Sequence, residues 1–183
     1  MSSLASFRSR LTGSWNLISY TATSTSNPSD IVYPLGKSCR GRAIFSTDGY
    51  VSAHIQSSDI RPYSDGRFHA SAEELCNAAK RTLTYTGAFR LEEGQCGAEG
   101  NAESNGKATI YYDVEISLPP NWIGTTEVRE LEMMDGDDGE TYLYLRPPGT
   151  VEIAGVTRQA EVKTVRARDN SGAGKPEIEK GKL

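Results

Sequence analysis

Phe45-Ser46-Thr47-Asp48-Gly49-Tyr50-Val51 places an Asp-Gly pair between two extended runs. Glycine takes the positive φ that a tight reversal needs, and β-branched and aromatic residues fill the flanks, so the stretch predicts a β-hairpin. Met134-Asp135-Gly136-Asp137-Asp138-Gly139-Glu140 repeats the device further on. Working outward by the same rule, runs bounded by Gly, Pro, Asn and Asp predict about eight strands, near 13–22, 40–46, 49–56, 82–92, 107–118, 124–134, 140–147 and 158–168. Nearly all are close enough to join as hairpins, whereas parallel pairs need long crossovers. The expected fold is all-β: an eight-stranded antiparallel barrel, the smallest that can either fill its lumen with side chains or hold one small ligand.

One helix interrupts the series. Ser71 with Glu74 three residues on forms an S-x-x-E capping box, and Leu75, Ala78 and Ala79 supply one small apolar face. Such a short helix is expected to lie across one barrel end as a plug or lid. Residues 95–106 read as a hairpin loop, and 169–183, which lack apolar anchors, as a disordered tail beyond a single domain over 10–168.

The 183 residues carry a formal net charge of −4, and Lys and Arg do not gather into a stripe, so nucleic acid is not expected as a partner. Met1–Arg10 lacks the apolar core of a signal peptide, and no run approaches a membrane span, which points to a cytoplasmic protein with no membrane partner. Cys39, Cys76 and Cys96 show no CxxC pair and read as plain thiols, with Cys76 expected to be packed on the helix. Asp135, Asp137 and Asp138 share one turn, but the glutamate that completes a calcium loop is missing, so no metal is expected. The absence of a P-loop or dinucleotide fingerprint likewise leaves no cofactor expected.

Gly13-Ser14-Trp15 opens a strand and is followed by Tyr33-Pro34-Leu35-Gly36, by Gly41-x-x-Ile44-Phe45-x-x-Asp48-Gly49-Tyr50-x-Ser52-Ala53, by Tyr85-x-Gly87-x-Phe89, and by Pro120-Asn121-Trp122-Ile123-Gly124-Thr125 with Arg129 beyond. In this order and spacing the set resembles the lipocalin-like domain family of bacterial and fungal proteins, over roughly residues 10–168. The resemblance implies a lipocalin-like barrel with Trp15 at its closed end, under an arginine of the last strand, Arg166 or Arg168. Barrels of similar shape in biosynthetic gene clusters act as isomerases and cyclases on polyketide or terpenoid intermediates. The family commonly carries histidine on the strand before Pro120-Asn121-Trp122, where this chain has Tyr112 and Asp113.

Alternation sorts the candidate residues. Tyr50, Ser52 and His54 share one face of their strand, and Val51, Ala53 and Ile55 the other. An apolar face turned inward leaves His54 in solvent; the opposite choice puts it in the lumen as a general base. Tyr112 shares a face with Ile110, Val114 and Ile116 and is expected inside, where its phenol can donate to a carbonyl or enolate oxygen. An inward Arg129 would need a carboxylate or a ligand oxygen as partner. His54 and Tyr112 are therefore the candidate catalytic residues of a cofactor-independent isomerase or cyclase for a small apolar secondary-metabolite intermediate. Tyr50, Ser52, Tyr85, Trp122, Arg129 and Tyr144 are expected to shape the pocket. A non-catalytic carrier of a hydrophobic molecule is the alternative, and a filled barrel serving as a homodimerising module is a third reading.

Overall fold

The computed structural model describes residues 3–93 and 106–169. The expected loop over 95–106 and tail over 169–183 lie outside the described residues except at Gly106 and Asp169, and so does Cys96. Eight long strands build the barrel: β1 (Gly13–Ser24), β3 (Cys39–Phe45), β4 (Tyr50–Ser57), β5 (Thr82–Glu93), β6 (Lys107–Ser117), β7 (Thr126–Asp135), β8 (Thr141–Arg146) and β10 (Val156–Arg166). Each pairs antiparallel with the next, and β1 returns to pair with β10 from Trp15↔Arg166 to Ser24↔Arg158, which closes the sheet. Two short strands, β2 (Ile31–Val32) and β9 (Val151–Ile153), add to β1 and β10 at the other end from Trp15.

Two helices accompany the strands, one more than expected from the sequence. The helix α2 (Ala72–Lys80) follows the Ser71 cap, and α1 (Ser3–Leu11) precedes β1. Leu4, Phe7 and Leu11 fall on one face of α1 at helical spacing, and Phe7 and Leu11 are buried in the barrel core. The plug of the barrel is therefore α1. Trp15 sits directly above it, fully buried, with its indole N–H donating to the Leu11 carbonyl at 2.7 Å. The Arg166 guanidinium covers the Trp15 ring at 4.1 Å, so of the two candidate arginines Arg166 closes this end.

Period-two alternation then decides what fills the lower barrel. Phe45, Val51, Phe89, Ile110, Leu131, Met133 and Leu143 turn inward and are buried, with Phe45 and Phe89 in edge-to-face contact at 5.6 Å. Burial of each large side chain is worth about 1.5–3 kcal/mol, and this floor carries most of the packing. Two irregularities adjust the parity: a bulge in β1 between Leu17 and Ser19, and a register shift at Thr86/Gly87 against β6. After the first bulge Tyr20, Ala22 and Ser24 take up the inward positions.

Gly87 faces inward where β6 comes closest, and a Cβ there would fall onto the Asp113 carbonyl oxygen. Backbone on backbone cannot yield as a side chain can. Gly87→Ala is expected to lose at least about 2 kcal/mol of folding free energy, in the range of overpacking and register damage, in a urea unfolding series.

The connection over 58–81 is held by local polar contacts rather than by packing. No residue of α2 is buried, and Cys76, expected to pack, is exposed. The Glu74 carboxylate accepts from the amides of Ser64 at 2.7 Å and Ser71 at 2.8 Å, and Asp59 pairs with Arg81 while accepting from Ser57. The Ser64 amide above all, then that of Ser71, holds the Glu74 carboxyl down to about 2. A depressed carboxyl stabilises the fold above its ordinary range and loses that contribution as pH falls through its folded value. The amides of Ser64 and Ser71 are thus expected to keep their hydrogen-exchange protection below pH 4.5 and lose it as pH approaches 2, whereas Glu74→Gln should weaken it already at pH 7.

Candidate functional site

The end opposite α1 is less uniformly packed than the floor, although Ala22, Ser24, Ile55, Ser57, Arg158 and Ala160 are buried there. Leu17, Tyr20, Cys39, Ala43, Leu83, Tyr85 and Val162 occupy inward positions, yet all are partly exposed. An inward side chain reached by water in a closed barrel is reached through its mouth. Gly41, Ala43, Ala53 and Ala160 share this upper half; at Gly41 the walls come close, since a Cβ there would lie 3.1 Å from Ile55 and 3.2 Å from Leu17.

Into this space β7 projects a charged pair. Leu131 and Met133 face the core, so Arg129 and Glu127, two and four residues back from Leu131, face it too; register places Arg129 opposite Ile110 and Glu127 opposite Tyr112. Their side chains are 24% and 22% exposed and bridge at 3.1 Å, while Arg129 Nη1 donates to its neighbour's carbonyl, Val128 O, at 2.6 Å. Arg129 thus meets the requirement set by an inward guanidinium with a carboxylate, and Glu127 is a residue that sequence reasoning missed although it shares the parity of Leu131 and Met133.

Three phenols surround the pair. Tyr85 stands 5.7 Å from Tyr112 and 5.7 Å from Trp122, measured between ring centroids, so the three rings form a column from the floor to the rim. Trp122 belongs to a short turn, Pro120–Trp122, and packs against the core rather than standing free at the corner. Burial raises the phenol pKa of Tyr20 and Tyr85, partly offset by Arg129, and raises that of Tyr112 well above its ordinary value. All three remain protonated donors at neutral pH. Tyr112 is 1% exposed, and although its hydroxyl is close enough to Tyr85 for the two to influence each other, it has no hydrogen bond of acceptable geometry among the described residues.

The other candidates lie elsewhere. Val51, Ala53 and Ile55 take the inside of β4, so Tyr50, Ser52 and His54 stand on the outer surface, a correction to the lumenal position considered for them. His54 is satisfied there by Ser52 Oγ at 3.1 Å from Nε2 and Thr84 Oγ1 at 2.7 Å from Nδ1. Tyr144 is also outside, between Leu143 and Leu145, where Arg146 and Lys163 cover its ring at 5.3 Å each. Asp135 and Asp138 serve their hairpin: Asp135 accepts from Arg10 and Thr141, and Asp138 from Tyr142 and the Glu140 amide. Ile116, expected inside with Tyr112, is 66% exposed because the register shift at Thr86/Gly87 turns it outward.

A profile of the lipocalin-like domain matches residues 12–164, the span from the end of α1 to the last turns of the barrel. The chain belongs to the lipocalin-like domain family. No curated protein matches it. A lipocalin-like barrel suits a small hydrophobic ligand. No helix among the described residues is long and apolar enough to cross a membrane.

The unpartnered Tyr112 hydroxyl in this lipocalin-like barrel has a measurable consequence, since a buried polar group without a partner costs about 1–3 kcal/mol. Tyr112→Phe should raise the stability of the ligand-free protein by about 1 kcal/mol in denaturant unfolding. A loss of more than about 1 kcal/mol would show that the hydroxyl is bonded after all.

Proposed function

We propose that the barrel takes up a small, largely apolar organic molecule through the end opposite α1 and acts on it as a cofactor-independent isomerase or cyclase. The observation that carries this reading is the Glu127–Arg129 pair facing into the lumen beside Tyr20, Tyr85 and Tyr112. A container for a purely apolar cargo gains nothing from a partly buried ion pair, because burial of charge costs free energy that geometry or a ligand must offset. A carboxylate and neutral phenols in one enclosed space are, by contrast, what proton transfer at carbon requires: a base to remove the proton, and donors to hold the enolate oxygen that develops. Glu127 supplies the base, and Arg129 with the phenols the donors. The substrate class suggested by the family resemblance is a polyketide or terpenoid intermediate, and an aromatic column with an apolar floor suits such a molecule. His54 takes no part, because it stands on the outer face.

That outward His54 favours a second reading, a non-catalytic carrier, since it removes the imidazole from the lumen. The two separate on a neutral, enolisable apolar probe. With 2-tetralone in deuterated water, the enzyme reading expects faster exchange of the α-protons, followed by NMR, that saturates with probe and falls at least tenfold or so in Glu127→Gln but not in His54→Ala. Saturable binding with no exchange above buffer supports the carrier, and the absence of binding removes both.

A further inference from the structure

The polar half of the lumen also specifies what the apolar ligand carries. We infer that the ligand is an apolar carboxylic acid, bound with its carboxylate on the Arg129 guanidinium and its body on the aromatic column of Tyr85 and Trp122. This rests on the reading of the barrel as a small-molecule site, and adds to it the charge of the ligand.

Geometry supports it from three sides. The guanidinium is planar and matches a carboxylate in two parallel bonds, but the carboxylate it meets among the described residues, Glu127, comes from the same strand two residues away and meets a single nitrogen, Nη2, at 3.1 Å. Its remaining bond goes to the carbonyl of the adjacent Val128 at 2.6 Å, so the guanidinium carries more N–H donors than its bonds among the described residues use. The donors that surround it point the same way: Tyr20, Tyr85 and Tyr112 are all near enough to feel its charge, and all are protonated phenols able to donate to an oxygen anion. Finally, the buried Tyr112 hydroxyl has no well-aligned hydrogen bond among the described residues, only the Tyr85 phenol beside it, and a ligand oxygen reaching past Tyr85 would supply one. A neutral ligand can accept from these donors but leaves Glu127 as the counter-ion of Arg129. A carboxylate replaces Glu127 on Arg129 and releases the Glu127 side chain within the lumen, so occupancy itself turns a counter-ion into a free base.

The experiment uses the full chain at pH 7 with N-phenyl-1-naphthylamine as a neutral fluorescent probe, displaced by decanoate or by methyl decanoate, which share an apolar body and differ in charge. The acid is expected to compete about tenfold more strongly than the ester, the worth of one charge-assisted contact. Arg129→Met should erase that preference and leave the ester unchanged. Glu127→Gln, which keeps the shape of the side chain and removes the competing carboxylate, should tighten the acid several-fold without affecting the ester, and remains informative where Arg129→Met does not fold. Equal competition by acid and ester in the wild type overturns the inference while the small-molecule reading stands. An acid preference that survives Arg129→Met, or one that Glu127→Gln leaves unmoved, also overturns it. If the probe itself does not bind the wild type, the small-molecule reading falls and the inference with it.

Discussion

The pairing of β1 with β10 is the constraint on which the rest of the structure depends. It turns an open meander into a closed surface with an inside, and it does so over almost the full length of both strands. Closure abolishes the free edges that a long antiparallel sheet would otherwise present, and it gives every side chain of the eight strands a binary address, lumen or solvent. Trp15 fixes that address at the start of the cycle: its indole is tied to Leu11 below and covered by Arg166 from its partner strand, so one strong aromatic contact sets the parity of both closing strands at once. From there each neighbour inherits its register by hydrogen bonding, and a slip of one residue would exchange the core for the surface.

This explains how much of the molecule was legible beforehand. The eight long strands lie within a few residues of their expected positions, because Asp48-Gly49 and the Asp-Gly-rich 135–139 turn fix the hairpins and because β-branched runs mark the strands between them. The parity of single strands was harder. On β4 the apolar residues Val51, Ala53 and Ile55 and the chemically attractive Tyr50, Ser52 and His54 alternate perfectly, and nothing within that strand says whether a ligand or a core lies inside. Burial decided for the core, and His54 found its hydrogen bonds in Ser52 and Thr84 on the outside. On β7 the parity of Leu131 and Met133 turns both Arg129 and Glu127 inward, and only the arginine stands out in the sequence, because an inward guanidinium demands a partner. Tyr20 was hidden for a different reason: the bulge after Leu17 inverts the alternation of β1, and a bulge leaves little trace in residue type. The helix α1 was overlooked because serine and arginine dilute its three apolar residues, which only the waiting barrel end makes sufficient.

The candidate site and the floor express one trade-off. The lower lumen is a packed core in which Phe45, Phe89, Ile110 and Leu131 exclude water and supply stability. Extending that packing upward would fill the barrel and stabilise it further, yet the chain places alanine and glycine on β3, β4 and β10 there and an ion pair on β7. Charges facing a partly dry lumen are stabilising only when paired, and Arg129 has a pairing that is adequate rather than ideal, through one nitrogen and a neighbour on its own strand. A site that binds must leave its strongest groups with unused capacity, and under the proposed function the incompleteness of this pair is what a ligand would complete.

The two ends of the barrel differ for the same reason. At the α1 end the connections between β3 and β4 and between β7 and β8 are tight, and Arg8 and Arg10 tie the helix down over Phe89 and to Asp135. At the mouth the connections over 58–81 and 118–125 are longer: the first carries α2 and is held largely by exposed capping bonds and one arginine pair, whereas the second carries the Trp122 turn, whose indole packs against the core. Segments with few buried contacts open at lower free energy than the sheet that supports them, so the mouth can rearrange while the floor stays folded. The column of rings begins in the rigid floor at Tyr112 and ends at Trp122, so core packing reaches the 118–125 turn while α2 lies outside it. Movement at this end is least costly in the 58–81 connection, and it leaves untouched the closure of β1 on β10 that defines the inside.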